Sequence, residues 1–143
     1  MDLSVIIVAS IGLLASVITA SLSYYFTKKH QLKMEERRLK EEFYRSFIKA
    51  VNDAAIDNED DDAQRRFAEG FNSLLLIANA NVVIKLKEFH SFIAESEIPR
   101  GSEEHMMKFN DLLTKLIKEM RYDLFGRKNI NKNYPEVYRA GKP

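Results

Sequence analysis

Residues 3–27 read LSVIIVASIGLLASVITASLSYYFT, with no charged residue and no proline. As a helix, the run from Leu3 to Phe26 would be about 36 Å long at about 1.5 Å per residue. A bilayer's hydrocarbon core is about 30 Å thick, so the stretch is long enough to cross it with a little tilt. Its Leu, Ile, Val and Phe side chains each favour insertion by roughly 0.3–0.6 kcal/mol at the helix centre. Ser4, Ser10, Ser16, Ser21 and Ser23 erode that gain, although a helical hydroxyl can bond the carbonyl four residues back. Tyr24 and Tyr25 fall where an interfacial aromatic belt belongs, followed at once by Lys28 and Lys29.

The flanks set an orientation. Only Met1 and Asp2 precede the run, whereas Lys28, Lys29, Lys33, Arg37 and Arg38 follow it. Positive flanks stay cytoplasmic, which predicts an outside N-terminus and a cytoplasmic C-terminal part at the cell (inner) membrane. A cleaved secretory signal would want a basic start and a shorter apolar core. Gly12, Ser16 and Ala20 recur every four residues, and small residues at that spacing let helices approach closely in lipid. They form the candidate membrane-packing face for self-association or for docking on another span.

Beyond the run, the chain of 143 residues has room for one small domain. The net charge of +1 gives no global field toward nucleic acid, which is not expected as a partner. The absence of cysteine removes disulfides, thiolate zinc sites and a cysteine nucleophile. With five Gly and three Pro there are few breakers, and long helices are expected.

Residues 28–49 read as a charged helix, with Leu32, Leu39, Phe43, Phe47, Ala50 and Ala54 as its apolar stripe. The acidic run DNEDDD, Asp57 to Asp62, breaks it and supplies negative charge to the next helix start. Asp57, Glu59 and Asp61 alternate as in a calcium loop, but the glycine position holds Asp62 and the closing Glu position holds Ala68, so no metal is expected. Phe67, Phe71, Leu74, Leu75 and Ala78 form one helical face, and Val82, Leu86, Phe89 and Ile93 continue it. Asn79 to Asn81 between them predict a break into helices at about 62–78 and 82–96. Ser102 marks another start. A last helix over about 103–125 carries Met106, Phe109, Leu113, Leu116, Met120 and Leu124, and Gly126 ends it.

The expected organisation is all-α: an anchor at 1–27, a juxtamembrane helical stalk at 28–42, a cytoplasmic three- or four-helix bundle at 43–126 and a flexible basic tail at 127–143. No glycine-rich phosphate loop, nucleophile elbow or paired-histidine metal motif is present. His90 reads as a partly exposed residue on a helix edge. Arg121 and Asp123, two apart, do not face each other on one helix and are expected to pair with other helices.

Two resemblances add expectations. Arg100 to His105 reads RGSEEH, which resembles the R-x4-6-H signature of HEPN nucleases, helical and usually dimeric; Gly101 stands where that family usually has a polar residue. The resemblance implies Arg100 as phosphate binder and His105 as general acid or base. The anchor, the charged stalk, FNSLLLIANANVVIKLKEF and LLTKLIKEMRYDLFG are similar to a group of small bacterial membrane-anchored helical proteins, in which a similar helix closes on an Arg-x-Asp-Leu motif, here Arg121, Asp123 and Leu124. The leading expectation is a non-enzymatic, membrane-anchored interaction or scaffold subunit without cofactor, contacting the bilayer and a second copy or another protein. The alternatives are a membrane-tethered HEPN-like RNase and a membrane-active effector of bacterial defence or stress.

Overall fold

The structure, a computed structural model, describes residues 2–56 and 60–127. Those residues are all-helical, with four helices and no strand: α1 (Leu3–Ile56), α2 (Asp61–Ile77), α3 (Ala80–Glu95) and α4 (Glu103–Phe125). The chain divides into two compact units, the first ending at Arg38 and the second beginning at Leu39. The expected boundary between stalk and helical domain at 42/43 lies within α1. The tail beyond Arg127, with Tyr134 and Tyr138, lies outside the described residues, as do Asp57 and Glu59.

The first unit is the N-terminal part of α1. It contains one stretch long and apolar enough to cross a membrane, and none of that stretch is buried against the rest of the protein. No proline interrupts it, and the hydroxyls of Ser10, Ser16, Thr19 and Ser21 are accommodated along the helix itself.

The second unit begins on the C-terminal part of α1 and includes α2, α3 and α4. Each helix start follows from a short polar side chain. The Asp60 carboxylate accepts the Asp62 N–H, Asn79 Oδ1 accepts the Val82 N–H, and Ser102 Oγ accepts the His105 N–H. Such caps satisfy N–H groups that have no intrahelical acceptor, at about 1 kcal/mol each. The break expected at Asn79–Asn81 is therefore present, with Asn79 as the capping residue. At the other end of α4, Gly126 takes φ 77°, a conformation that costs a side-chain-bearing residue more.

All four helices contribute to one core: Tyr44, Phe47 and Val51 from α1, Leu74 from α2, Val82, Leu86 and Phe89 from α3, and Phe109, Leu113, Leu116 and Met120 from α4. The α3–α4 pair packs more extensively than the α2–α3 pair. At its centre the Phe89 and Phe109 rings meet edge to face with centroids 5.1 Å apart, a geometry that adds about 0.5–1.5 kcal/mol to plain burial. The core stripe on α1 differs from the expected one. Phe47 and Ala50 are buried, but Leu39 and Phe43 are exposed, and Tyr44 takes the inward position. A phenol can do so because its hydroxyl finds a partner there.

The α1–α2 contact depends on a missing side chain. A Cβ at Gly70 would sit 3.2 Å from Phe47 Cδ2, tighter than usual, and 3.5 Å from Phe47 Cα, an ordinary contact, so it is the Phe47 ring that a side chain there would crowd. Arg66 flanks the contact, 4.0 Å from Asp53 of α1 and 3.6 Å from Asp60. These pairs are half exposed, and such pairs contribute about 0–1 kcal/mol.

Candidate functional site

Two features stand out, one in each unit. The first is the uncovered apolar run of α1. Ile6, Ile7, Val8, Ile11, Leu13, Leu14, Val17, Ile18 and Leu22 are all exposed, and so are Tyr24, Tyr25 and Phe26 at its end. Within the run four hydroxyls turn inward on their own helix. Ser10 donates to the Ile6 carbonyl, Ser16 to Gly12, Thr19 to Ala15 and Ser21 to Val17, all at 2.7–2.8 Å. Each of these donors is satisfied without water, the condition that an apolar solvent imposes. Nothing lies within 4 Å of a Cβ built on Gly12, so the Gly12–Ser16–Ala20 face is open. Beyond Tyr25 the Lys29 ammonium sits 5.9 Å from the Tyr25 ring centroid.

The second feature is a polar joint inside the helical unit. The Asp123 carboxylate, near the end of α4, is 9% exposed and gathers three donors. The Tyr44 hydroxyl donates to Oδ2 at 2.6 Å, Asn79 Nδ2 donates to Oδ1 at 3.0 Å, and Lys40 Nζ lies 3.3 Å from Oδ2 and 3.4 Å from Oδ1. Lys40 and Tyr44 are four residues apart on α1 and thus on one face. The joint therefore connects α1, the α2–α3 corner and α4 through one largely buried charge. Burial, the hydrogen bond to Asp123 and the negative charge of Asp123 push the Tyr44 phenol well above its ordinary range, so the hydroxyl stays protonated and donating. The expectation that Asp123 pairs with other helices is realised in this joint. Arg121 lies with its guanidinium 6.0 Å from the Phe125 ring on the same helix.

The sequence reading did not single out Lys40, Tyr44 or Asn79 as partners of Asp123. The available signal was a lysine and a tyrosine at i, i+4 on a helix side that otherwise turns to the core, facing one acid inside an apolar helix end.

The residues of the RGSEEH motif have structural surroundings. The His105 ring is 9% exposed and lies 4.9 Å from the Phe92 ring and 6.5 Å from the Phe109 ring, centroid to centroid. Arg100 is exposed, and its guanidinium donates to the Ile93 carbonyl near the end of α3 at 3.3 Å. One side chain fills an aromatic slot between α3 and α4, and the other closes the end of a helix. His90 is exposed, with its ring 4.8 Å from that of Phe71.

An open depression of about 590 Å³ lies beside the start of α4, lined by Ile98, Glu103, Glu104, Met107, Lys108 and Asp111. It contains no histidine or hydroxyl nucleophile. Among the described residues no cluster of three His, Asp or Glu side chains is arranged to hold a metal ion. Comparison of the chain with protein families, with characterised proteins and with solved structures gave no match in any of the three.

Proposed function

We propose that this chain is a single-pass membrane protein that acts as a non-enzymatic interaction or scaffold subunit. Its N-terminus faces outward, its helical unit lies in the cytoplasm, and it self-associates or joins a larger membrane complex. The observation that carries the reading is the apolar run of α1, uncovered along its length, with the hydroxyls of Ser10, Ser16, Thr19 and Ser21 bonded back to the helix. Soluble monomers leave apolar patches of about 300–600 Å² in water. An unbroken helix face of Ile, Val and Leu over the whole run calls for an apolar solvent. The closely packed core, the aromatic surroundings of His105 and the bond from Arg100 to a backbone carbonyl support a structural role for the helical unit over a catalytic one.

The absence of cysteine makes the test direct. A single cysteine is placed at Asp2 in one variant and at Lys108 in another, and a membrane-impermeant maleimide is added to intact spheroplasts. The expected result is labelling at position 2 from outside and at position 108 only after lysis. The reverse pattern would overturn the orientation, and recovery of the protein in the soluble fraction would overturn the anchor. Assembly is tested on the full chain in mild detergent by mass. The expected oligomer falls to a smaller species when Gly12 and Ser16 become leucine. Cleavage of RNA by the purified chain, abolished by His105→Phe in a folded protein, would overturn the non-enzymatic reading in favour of the HEPN-like one.

A further inference from the structure

We propose that the basic face of α1 just beyond the apolar run binds anionic phospholipid headgroups. The inference rests on the anchored reading above. Lys29, Lys33 and Arg37 follow one another at i, i+4 and i+8 along a continuous helix, and all three are exposed. At about 100° per residue they fall within an arc of about 80° and rise about 12 Å along the axis. Lys28 and Arg38 add positive charge on either side, against Glu35 and Glu36 in the same segment. Lys28, Lys29 and Lys33 make no ion pair with any described acid, and Lys29 instead lies over the Tyr25 ring.

Location decides between polyanions. The face begins two residues after Thr27, where the uncharged run ends, so Lys29 reaches the headgroup layer as soon as the helix leaves hydrocarbon. Lys33 follows about 6 Å farther on, within the Debye length of about 8 Å at physiological salt, and Arg37 about 12 Å on, where the attraction is weaker. Nothing comparable favours a nucleic acid, since the net charge of the whole chain is +1. Fixed anionic headgroups offer the ammonium and guanidinium groups partners in the only layer they are bound to meet.

The test uses the full chain in mild detergent with equal amounts of phosphatidylglycerol and phosphatidylcholine, and retained lipid is read by native mass spectrometry. Phosphatidylglycerol is expected to be retained preferentially. Lys29→Gln, Lys33→Gln and Arg37→Gln together should remove the preference, at up to about fivefold per charge and least at Arg37, the upper factor being equivalent to about 1 kcal/mol per basic residue near an anionic surface. A control triple with the same charge loss on exposed positions elsewhere, Lys49→Gln, Lys87→Gln and Lys108→Gln, should retain it. Equal retention of the two lipids by the unaltered chain, survival of the preference in the first triple, or its loss in the control would each overturn the proposal. So would capture of a short single-stranded RNA by the face without any phosphatidylglycerol preference. Flotation on pure phosphatidylcholine vesicles separates the two readings. A chain that fails to float has lost the anchor. One that floats but shows no lipid preference has lost only the headgroup site.

Discussion

Replacing Asp123 by alanine should loosen three helices at once. The substitution leaves the Tyr44 hydroxyl without its 2.6 Å acceptor and Asn79 Nδ2 without its 3.0 Å acceptor. A buried donor left unsatisfied costs about 1–3 kcal/mol. Tyr44, 4% exposed, falls in the upper part of that range, and the half-buried Asn79 in the lower part. Lys40 keeps 21% of its side-chain surface in water, so its share is small after solvent screening. The total expected loss is about 3–4 kcal/mol, comparable to breaking a buried charge pair from one side. For a helical unit of this size about 1 kcal/mol corresponds to about 4–8 °C, so the melting temperature should fall by at least about 12 °C. The assay is calorimetry of the full chain in mild detergent, with a double-mutant cycle across Tyr44→Phe and Asp123→Ala. A coupling above about 0.5 kcal/mol is expected for groups in contact. Additive losses, or a melting temperature within about 3 °C of the unaltered chain, would refute the joint as a source of stability.

Three further outcomes follow from the same geometry. Gly70→Ala gains about 1 kcal/mol of helix propensity but places a methyl 3.2 Å from the fully buried Phe47 ring, and overpacking of that kind costs about 1–3 kcal/mol; a net loss is expected in chemical denaturation, and a stabilised variant would show that Phe47 can yield. Tyr44 adds a pH dependence: its folded phenol lies above the unfolded value near 10, so its stabilising effect is complete below about pH 10 and is lost above it at about 1.4 kcal/mol per pH unit. Tyr44→Phe should flatten that alkaline slope in melting temperature, and an unchanged slope would count against the assignment. At position 105, His105→Phe should keep the fold, because the slot between Phe92 and Phe109 is aromatic, whereas His105→Ala should cost about 1–3 kcal/mol in denaturant titration through lost packing; equal stability of the two variants would contradict a packing role.

Much of the fold is legible in the sequence because its signals are local. Asp60, Asn79 and Ser102 are short polar residues placed directly before apolar faces of period 3.6, and each starts a helix. Gly126 ends α4 for an equally local reason. The apolar run of α1 declares itself by composition alone. What was less legible depends on contacts distant in the chain. The α1 stripe was expected to pass through Leu39 and Phe43, which are the more hydrophobic choices, yet Tyr44 turns inward because Asp123, far along the chain, accepts its hydrogen bond. Gly70 carries no signal in the sequence, since nothing near it in the chain shows that Phe47 will lie against it. His105 read as chemistry because of its spacing from Arg100; Phe92, on another helix, supplies the ring beside it.

The side-chain amide of Asn79 uses both of its ends. Oδ1 accepts the Val82 N–H that opens α3, and Nδ2 donates to Asp123 across the helical unit. Few replacements could do both. Aspartate would start the helix but set a second negative charge against Asp123. Serine or threonine would start it but has no second arm to extend. Glutamine carries the same amide one methylene farther out and is a poor cap. Position 79 is therefore close to a singleton in sequence space: the start of one helix and the closure of three are encoded in a single side chain, and a designer varying this turn would find the helix start and the tertiary contact inseparable.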